Sequence, residues 1–515
     1  MHLTTGVAGR FFSALGDAKI NVLAISQGSS ERNISAVVLE SESTRALRAI
    51  HAAFRLSHTN VRVGVVGMSE VGESLLKLLG AQRQKLKTAF EIDLQVCAIL
   101  KDGETSDIVV LKNQLGGVDA DSITAAEYND LVGMGESLLL GAPATATATA
   151  STTGGTASLS VKFDDKSKSS KQIAAKVVQG GLENLATHVF SEDNAHSIIF
   201  DCTGDVSVGE KHADWLTMGI HIVTANNTAL SGSKIVRDAI KKAERSRKVH
   251  YLREVAVGGG LPIVSTLRDL LSSGDHIRRI DGILSVSMSY IMHRIAPPPG
   301  VYECSVYDEK STMGAYTDNK SMSPAANQRA VCSFSQAVKE AIGLGLMEED
   351  PLKDLDNEYT ARCLMVLARE LGMDEDYDVS KIQAQSDSLA DGGKRTYSEI
   401  EAELSASMKV RVEAAAAKGC VPRHVFSVDV KRKVISINIV DVPFNHIFAT
   451  TAPSCECVRF FTERHKTYPL IVQGPSAGAD STASALLAEV LNMMKHKVGT
   501  KSGIISRSAS SSFLE

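Results

Sequence analysis

The chain has 515 residues, which at about 150 residues per domain predicts about three domains. Its 55 basic and 60 acidic residues give a net charge of −5, without a block of like charges, so the composition does not favour nucleic-acid binding. No apolar run reaches the ~20 residues of a membrane helix, and the N-terminus lacks the order of a signal peptide. We therefore expect a soluble intracellular protein, by default a cytoplasmic one.

The first segment, from Gly6 to about Ser57, has the pattern helix, strand, strand, helix. Val7, Phe11, Phe12 and Leu15 have helical spacing. Strands are expected over residues 20–25 and 34–39, with a tight polar turn between them, and a second helix over 45–54.

A glycine-rich loop follows the next predicted strand and begins a helix. Its sequence is Gly67-Met68-Ser69-Glu70-Val71-Gly72. In a dinucleotide-binding fold the first glycine makes the turn, the second lets the pyrophosphate approach, and the third lets helix and strand pack closely. Ser69 occupies the second position, and its Cβ intrudes where phosphate would lie. The alternative is a tight turn that uses glycines for geometry only.

The following strand ends in Lys101-Asp102, a cation and an acid together, so the choice between NAD and NADP stays open.

Short apolar runs at 197–200, 220–223 and 249–255, separated by helix-length segments, indicate a doubly wound parallel sheet. Low-complexity sequence at 140–173 is expected to be a disordered insertion, residues 297–327 an irregular one, and the serine-rich tail from 498 disordered.

Collinear motifs from residue 6 to about 495 resemble the C-terminal part of bifunctional aspartokinase/homoserine dehydrogenases. The motifs include Asp201-Cys202-Thr203, Val257-Gly258-Gly259-Gly260-Leu261-Pro262, Glu348-Glu349-Asp350-Pro351 and Gly474-Pro475-Ser476-Ala477-Gly478. The resemblance implies reduction of aspartate semialdehyde to homoserine with NAD or NADP. It also implies a role in the pathway to threonine, methionine and isoleucine.

The same resemblance shows what has been replaced. The family has one lysine after the strand that ends here at Thr224, and this chain has Asn227 there. A second family lysine lies on a helix four residues after a substrate-binding aspartate; these positions are Cys363 and Tyr359. Because cationic side chains stabilise and protonate the developing alkoxide, we expect the activity to be weak or lost.

Other family positions persist. Glu348 and Asp354 match residues that hold the ammonium group of the amino acid, or else they form a solvated acidic loop that caps the next helix. Four residues match the positions whose oxygens hold a monovalent cation such as sodium, or they form a turn without an ion: Glu254, Val257, Gly259 and Leu261. The resemblance also places Thr203 beside the nicotinamide and Gly478 among the cofactor contacts.

The first segment resembles an ACT unit that lacks its first strand, which implies a fragment of a longer chain or a strand supplied by another chain. Gln27 matches a glutamine through which relatives bind threonine, or it only satisfies the turn. A homodimer is expected, and an aspartokinase portion or chain is a possible partner. A plastid location is open if an N-terminal region is missing.

The expected organisation has five parts: an ACT-like unit at 1–61, a nucleotide-binding Rossmann domain at 62–252, an α+β substrate and dimerisation domain at 253–470, a helix returning to the nucleotide domain at 471–497, and the tail at 498–515. The alternative to a weakened dehydrogenase is a non-catalytic regulatory or partner subunit that contains an ACT unit.

Overall fold

The computed structural model describes residues 6–27, 33–54, 59–101, 107–111, 148–153, 156–163, 171–179, 181–191, 196–247, 249–299, 332–347, 350–373, 377–384, 386–387, 389, 395–476 and 478–498. Several expectations lie outside these residues, namely those for Glu348, Asp102, the irregular segment 300–327 and the tail from 499. Within the described ranges, no helix is long and apolar enough to cross a membrane.

The chain divides into two compact units. The first unit contains Met1–Ala229, Lys234–Arg253 and Ala483–Glu515, and the second contains Leu230–Ser233 and Glu254–Thr482. The boundary between the two units at Arg253–Glu254 lies one residue after the domain boundary expected from the sequence.

The N-terminal part has two helices and two antiparallel strands around a small core: α1 (Val7–Asp17), β1 (Ala24–Gln27), β2 (Ile34–Val37) and α2 (Ser43–Ala53). Leu15, Ile20 and Ala46 are the buried residues of this core. The strand expected from residue 20 begins only at Ala24. The Ile20 amide donates to Leu15 O after Lys19 turns with φ 56°, so Ile20 closes the end of α1 and packs in the core.

A nine-stranded sheet forms the centre of the first unit, in the order β11-β10-β9-β3-β4-β5-β8-β7-β6. Five neighbouring strands are parallel: β3 (Thr59–Val66), β4 (Ile92–Leu100), β9 (His196–Asp201), β10 (His221–Thr224) and β11 (Tyr251–Leu252). Val61, Val63 and Val65 in β3 are fully buried, as expected for a central strand covered on both faces. The chain leaves β3 toward β4 on one side and returns to β9 on the other, which creates a topological switch point.

The low-complexity segment contains strands, so the expectation of disorder is wrong for part of it. Its strands are antiparallel and, with β5, extend the sheet: β5 (Asp107–Leu111), β6 (Ala148–Thr153), β7 (Thr156–Phe163) and β8 (Lys171–Gln179). The composition argument considered only the burial of apolar surface. Alternating small and β-branched residues also suit a strand, whose backbone groups pair regardless of side-chain hydrophobicity.

Among the described residues of the first unit, the helices that follow α1 and α2 are α3 (Glu70–Phe90), α4 (Gly181–Val189), α5 (Val206–Met218) and α7 (Lys234–Arg247). The short helix α6 (Thr228–Ser231) and the long C-terminal helix α16 (Ala479–Val498) each cross a boundary between the units.

The second unit is built on a five-stranded antiparallel sheet in the order β14-β13-β12-β15-β16. Its strands are β12 (Ile277–Ile283), β13 (Cys420–Asp429), β14 (Val434–Pro443), β15 (Cys455–Thr462) and β16 (Leu470–Pro475). Its helices are α8 (Ile263–Ser272), α9 (Val286–Ile295), α10 (Phe334–Gly343), α11 (Leu352–Leu355), α12 (Glu358–Glu370), α13 (Val379–Ala384), α14 (Tyr397–Ala416) and α15 (Ile447–Thr450). Residues of α9, α10 and the sheet share one hydrophobic core.

Candidate functional site

The glycine turn after β3 requires its first glycine. Gly67 has φ 96°, and a Cβ at this position would lie 2.9 Å from the carbonyl carbon of Cys202 and from Thr203 Cγ2. The Gly67 amide donates to Leu100 O at 2.9 Å, which ties the turn to the end of β4. A side chain at Gly67 would therefore be strained and would clash with the loop that follows β9.

The third glycine of the motif is required for packing, whereas the second position tolerates a side chain. A Cβ on Gly72 would lie 1.8 Å from Gly67 O. Ser69, by contrast, is exposed at the N-cap of α3 with an ordinary φ of −78°, and Val71 is half-buried beside it. The first turn of α3 also carries Glu70 and Glu73. Their carboxylates interact favourably with the positive end of the helix dipole, but they would repel a phosphate group bound there.

The switch point brings the glycine turn close to Thr203. The buried carboxylate of Asp201, the last residue of β9, accepts hydrogen bonds from Thr203 N at 2.9 Å and Thr203 Oγ1 at 2.7 Å. On its other side it is bonded to His212 Nε2 of α5 at 2.9 Å. Sequence reasoning did not assign a role to His212, because its partners are distant along the chain.

Asn227 lies in the loop between β10 and α6 and is 6% exposed. Both polar atoms of the neighbouring Asn226 side chain form hydrogen bonds: Nδ2 donates to Asp205 O at 2.7 Å, and Oδ1 accepts from Thr228 N at 2.9 Å. The position of the family lysine therefore lies in a well-ordered loop, but a carboxamide occupies it.

Cys363 lies in the interior of α12 and has no exposed surface. Its Sγ donates to Ala256 O at 3.7 Å, and its side chain is also hydrogen-bonded with Tyr359, one turn earlier. The sequence spacing thus correctly brings the two positions together on one helix face. Arg362, the nearest cation along the helix, forms an ion pair with Glu358.

Asp354 lies in α11 and contacts the segment that follows β12. Its Oδ1 accepts from Ser287 Oγ at 2.9 Å, and Ser287 Oγ is 3.0 Å from Ser285 Oγ. Ser285 is also the N-cap of α9, where its Oγ accepts from Met288 N. Asp354 is therefore held against the beginning of α9. Gly478 lies just before α16 with φ 136° and is exposed.

The residues that the sequence assigns to a cation form a tight turn ahead of α8. Gly258 and Gly259 have φ 72° and 52°, and the Leu261 amide donates to Gly258 O at 2.9 Å. Glu254 begins the segment, and burial raises the pKa of its carboxyl while hydrogen bonds from Ser265 oppose that shift. The carboxyl of Glu254 is thus directed at the start of α8, whereas Val257, Gly259 and Leu261 offer backbone carbonyls.

Glu456 of β15 is a second acid beside this turn, and the sequence analysis missed it. Its carboxyl is 3% exposed, and a Cβ on Gly258 would lie 3.2 Å from its Oε2. Burial raises the pKa of Glu456 to about 8, although a hydrogen bond from Ser476 opposes the shift. Within the described part of the chain, Oε2 itself has no hydrogen-bond partner. The only sequence signal was a single acid in the first half of a strand that is mostly apolar.

A parallel sheet with a glycine turn at its switch point places the first unit among Rossmann-type dinucleotide-binding proteins. Comparison with sequence profiles agrees. The profile described as "Homoserine dehydrogenase, NAD binding domain" matches residues 146–254, and "Homoserine dehydrogenase" matches residues 262–491. An ACT-domain profile matches residues 1–54. The glycine turn at 67–72 precedes the matched part of the NAD-binding profile.

Sequence identity to individual proteins shows the family to which the chain belongs. The chain is 30% identical over 321 residues to the homoserine dehydrogenase of Emericella nidulans, covering 61% of this chain and 79% of that protein. It is 32% identical over 499 residues to bifunctional aspartokinase/homoserine dehydrogenase 1, chloroplastic, of Arabidopsis thaliana, covering 96% of this chain and 45% of the relative. The chain belongs to the homoserine dehydrogenase family. It spans about half the length of the bifunctional relatives it matches.

A solved structure shares the fold. A hyperthermophilic archaeal homoserine dehydrogenase in complex with NADPH superposes with a TM-score of 0.51 at 18% identity, covering 86% of this chain and 98% of that one.

Proposed function

We propose that this chain has the scaffold of a homoserine dehydrogenase in which the NAD(P)-linked interconversion of homoserine and aspartate semialdehyde is lost or very slow. The proposal rests on Asn227 and Cys363, which lie where the resemblance implies the two family lysines. Asn227 can donate a hydrogen bond to an oxyanion but has no proton to transfer. The Cys363 thiol is buried and donates to a backbone carbonyl.

NADP or NAD fits the residues of the first unit. When bound in its reduced form, it would supply a hydride to the aldehyde carbon, and in its oxidised form it would accept one from homoserine. Gly67 leaves the turn without a Cβ, and Thr203 is held by Asp201 beside it. Ser69 and the two acids of the first turn of α3 oppose the phosphates, so we expect binding that is weaker than in a relative with glycine at the second position.

Cofactor titration tests this part of the proposal most directly. NADPH fluorescence is followed as the purified protein is added, and the same titration is repeated with NADH. Saturable binding of either nucleotide supports a dehydrogenase scaffold. A protein that binds neither contradicts the proposal, because the scaffold would then lack its cofactor site and the loss of activity would not follow from Asn227 and Cys363.

The Gly258–Gly259 turn is proposed to hold a monovalent cation such as sodium. Backbone carbonyl oxygens of Val257, Gly259 and Leu261, together with a carboxyl oxygen of Glu254, suit a hard cation. The measurement is the melting temperature in sodium chloride against tetramethylammonium chloride at equal ionic strength. A higher melting temperature in sodium supports the site, and equal values contradict it.

A second candidate function is that of a regulatory or partner subunit. The match of residues 1–54 to an ACT domain favours it. We propose threonine as the ligand to test, with D-threonine as the control and Gln27→Ala as the matched variant. A rise in melting temperature with L-threonine, abolished by Gln27→Ala, supports the subunit function. No shift with L-threonine contradicts it.

The names of the bifunctional relatives suggest an aspartokinase portion or chain as a partner. Separately, we propose that this chain forms a homodimer. The chloroplastic plant relatives make a plastid the proposed location for a longer precursor, and otherwise the cytoplasm. Light scattering on the purified protein tests the dimer, and a monomeric mass contradicts it.

A further inference from the structure

A buried carboxylate organises the two loops that carry Thr203 and Asn227. Asp201 has no exposed surface, and four groups surround it: Thr203 N at 2.9 Å, Thr203 Oγ1 at 2.7 Å, His212 Nε2 at 2.9 Å and Thr224 Oγ1 at 3.3 Å. A buried charge is tolerated only when it is well solvated by such donors. The donors come from the loop after β9, from α5 and from β10, so the carboxylate fixes three elements at once.

The direction of these hydrogen bonds assigns the tautomer of His212. The oxygens of Asp201 accept from Thr203 and Thr224, and we assign the same role toward His212, so that Nε2 carries the proton and donates to Oδ2. The opposite nitrogen, Nδ1, lies 2.9 Å from the hydroxyl of Tyr251 in β11. Burial raises the pKa of Tyr251, so the phenol keeps its proton and donates to Nδ1. The order of donation is Tyr251 to His212 to Asp201.

The network continues from Asp201 to the backbone around Asn227. Thr224 Oγ1 accepts from Asn226 N at 2.9 Å, and Thr203 Oγ1 lies 3.4 Å from Asn226 Nδ2. Asn226 Oδ1 in turn accepts from Thr228 N. Asn227 is therefore flanked on both sides by residues whose backbone amides depend on this network.

We propose that His212 and Tyr251 are positioning residues that hold Asp201, and through it the Thr203 and Asn227 loops, in the conformation that receives the nicotinamide half of the cofactor. This inference rests on the proposed binding of NADP or NAD. It is specific to one half of the nucleotide, because the network lies at the ends of β9 and β10 and does not include α3.

The test compares two ligands on three variants. His212→Phe removes the donor, His212→Gln keeps an N–H that can reach Asp201, and Tyr251→Phe removes only the hydroxyl behind His212. NADPH contacts both halves of the site, whereas adenosine 2′,5′-bisphosphate contacts only the adenosine half. We expect His212→Phe to weaken NADPH binding by about 10-fold, Tyr251→Phe by about 3-fold and His212→Gln by less than that.

Affinity for the bisphosphate should stay within about 2-fold of the wild type in every variant. Equal weakening of both ligands, or NADPH binding by His212→Phe that matches the wild type, would overturn the proposal. If His212→Phe does not fold, the difference between Tyr251→Phe and wild type decides the same question.

Hydrogen exchange separates this inference from the proposed function. In peptides that contain Thr203 and residues 226–228, amide protection should fall in His212→Phe and stay in His212→Gln, while β3 is unchanged. If the wild type binds neither NADPH nor NADH, the proposed function fails, and the inference fails with it as a statement about cofactor binding. Unchanged exchange in these peptides would overturn the positioning role even where NADPH binds.

Discussion

Cys363 Sγ lies 3.7 Å from the carbonyl oxygen of Ala256, at the helix position where the resemblance implies a lysine. The thiol is fully buried and hydrogen-bonded with Tyr359, which occupies the place of a family aspartate. A lysine side chain is longer than the cysteine and would extend past this carbonyl. If the resemblance gives this position correctly, the helix is present and the ammonium group is not, which is the basis for our proposal of little turnover.

Restoring the charged residues should restore activity if the scaffold is otherwise intact. The variant Asn227→Lys/Cys363→Lys/Tyr359→Asp is expected to oxidise homoserine at least ~10²-fold faster than the wild type, because it regains a proton donor and an oxyanion stabiliser. The control is Asn227→Met/Cys363→Met/Tyr359→Asn, which has similar side-chain lengths without the charges. An equal rate in both variants would show that the pocket is damaged elsewhere.

Ser69→Gly should improve binding of NADPH. The substitution removes the only Cβ at the second position of the glycine motif, and we expect a several-fold lower dissociation constant. Ser69 makes no side-chain capping bond, so stability should change by only a few tenths of a kcal/mol. Ser69→Ala keeps the Cβ and serves as the control in fluorescence titrations. Equal affinity of the Gly and Ala variants would contradict the steric explanation.

Gly67→Ala should damage both folding and cofactor binding. The alanine Cβ would lie 2.9 Å from Cys202 C in a backbone with φ 96°, which we expect to cost about 1–3 kcal/mol. Gly204→Ala, in the adjacent loop, is the matched control, because no described atom lies within 4 Å of its added Cβ. Urea denaturation measures the difference. Similar free energies of unfolding for the two variants would refute the close approach at Gly67.

Glu456 should make the protein less stable as the pH rises. Its folded-state pKa of about 8 exceeds the ordinary value of 4.5, so below pH 4.5 both states are protonated and the residue has no cost. Between these values the unfolded chain releases the proton while the folded chain keeps it, which lowers stability until about pH 8. Glu456→Gln should match the wild type near pH 4.5 and exceed it by about 2–4 kcal/mol at pH 8.

Denaturant titrations at these two pH values measure that effect. Glu463→Gln is the control, because Glu463 is an exposed acid directly after β15. A constant difference between Glu456→Gln and wild type at both pH values would contradict the buried, raised-pKa carboxyl.

The sequence predicted the elements whose signals are local. The strand β3 was predicted from the alternation of Val61, Val63 and Val65, and the turn and α3 were predicted from the spacing of Gly67 and Gly72. Helical spacing predicted that Tyr359 and Cys363 lie on one face of their helix. Residues that act through distant partners were not predictable. His212 meets Asp201 and Tyr251 only after three strands have paired, and Glu456 meets Gly258 across 198 positions of the chain. The Ala/Thr segment was misjudged because composition does not reveal backbone pairing at a sheet edge.

The most direct test of the account is steady-state oxidation of homoserine by the purified wild-type protein with NADP and with NAD, monitored by the absorbance of the reduced cofactor. The account predicts a rate no greater than ~0.1% of that of a family member with both lysines, since a proton donor and a charge stabiliser are absent. A rate near that of the intact relative, measured on the same day under the same conditions, would contradict it.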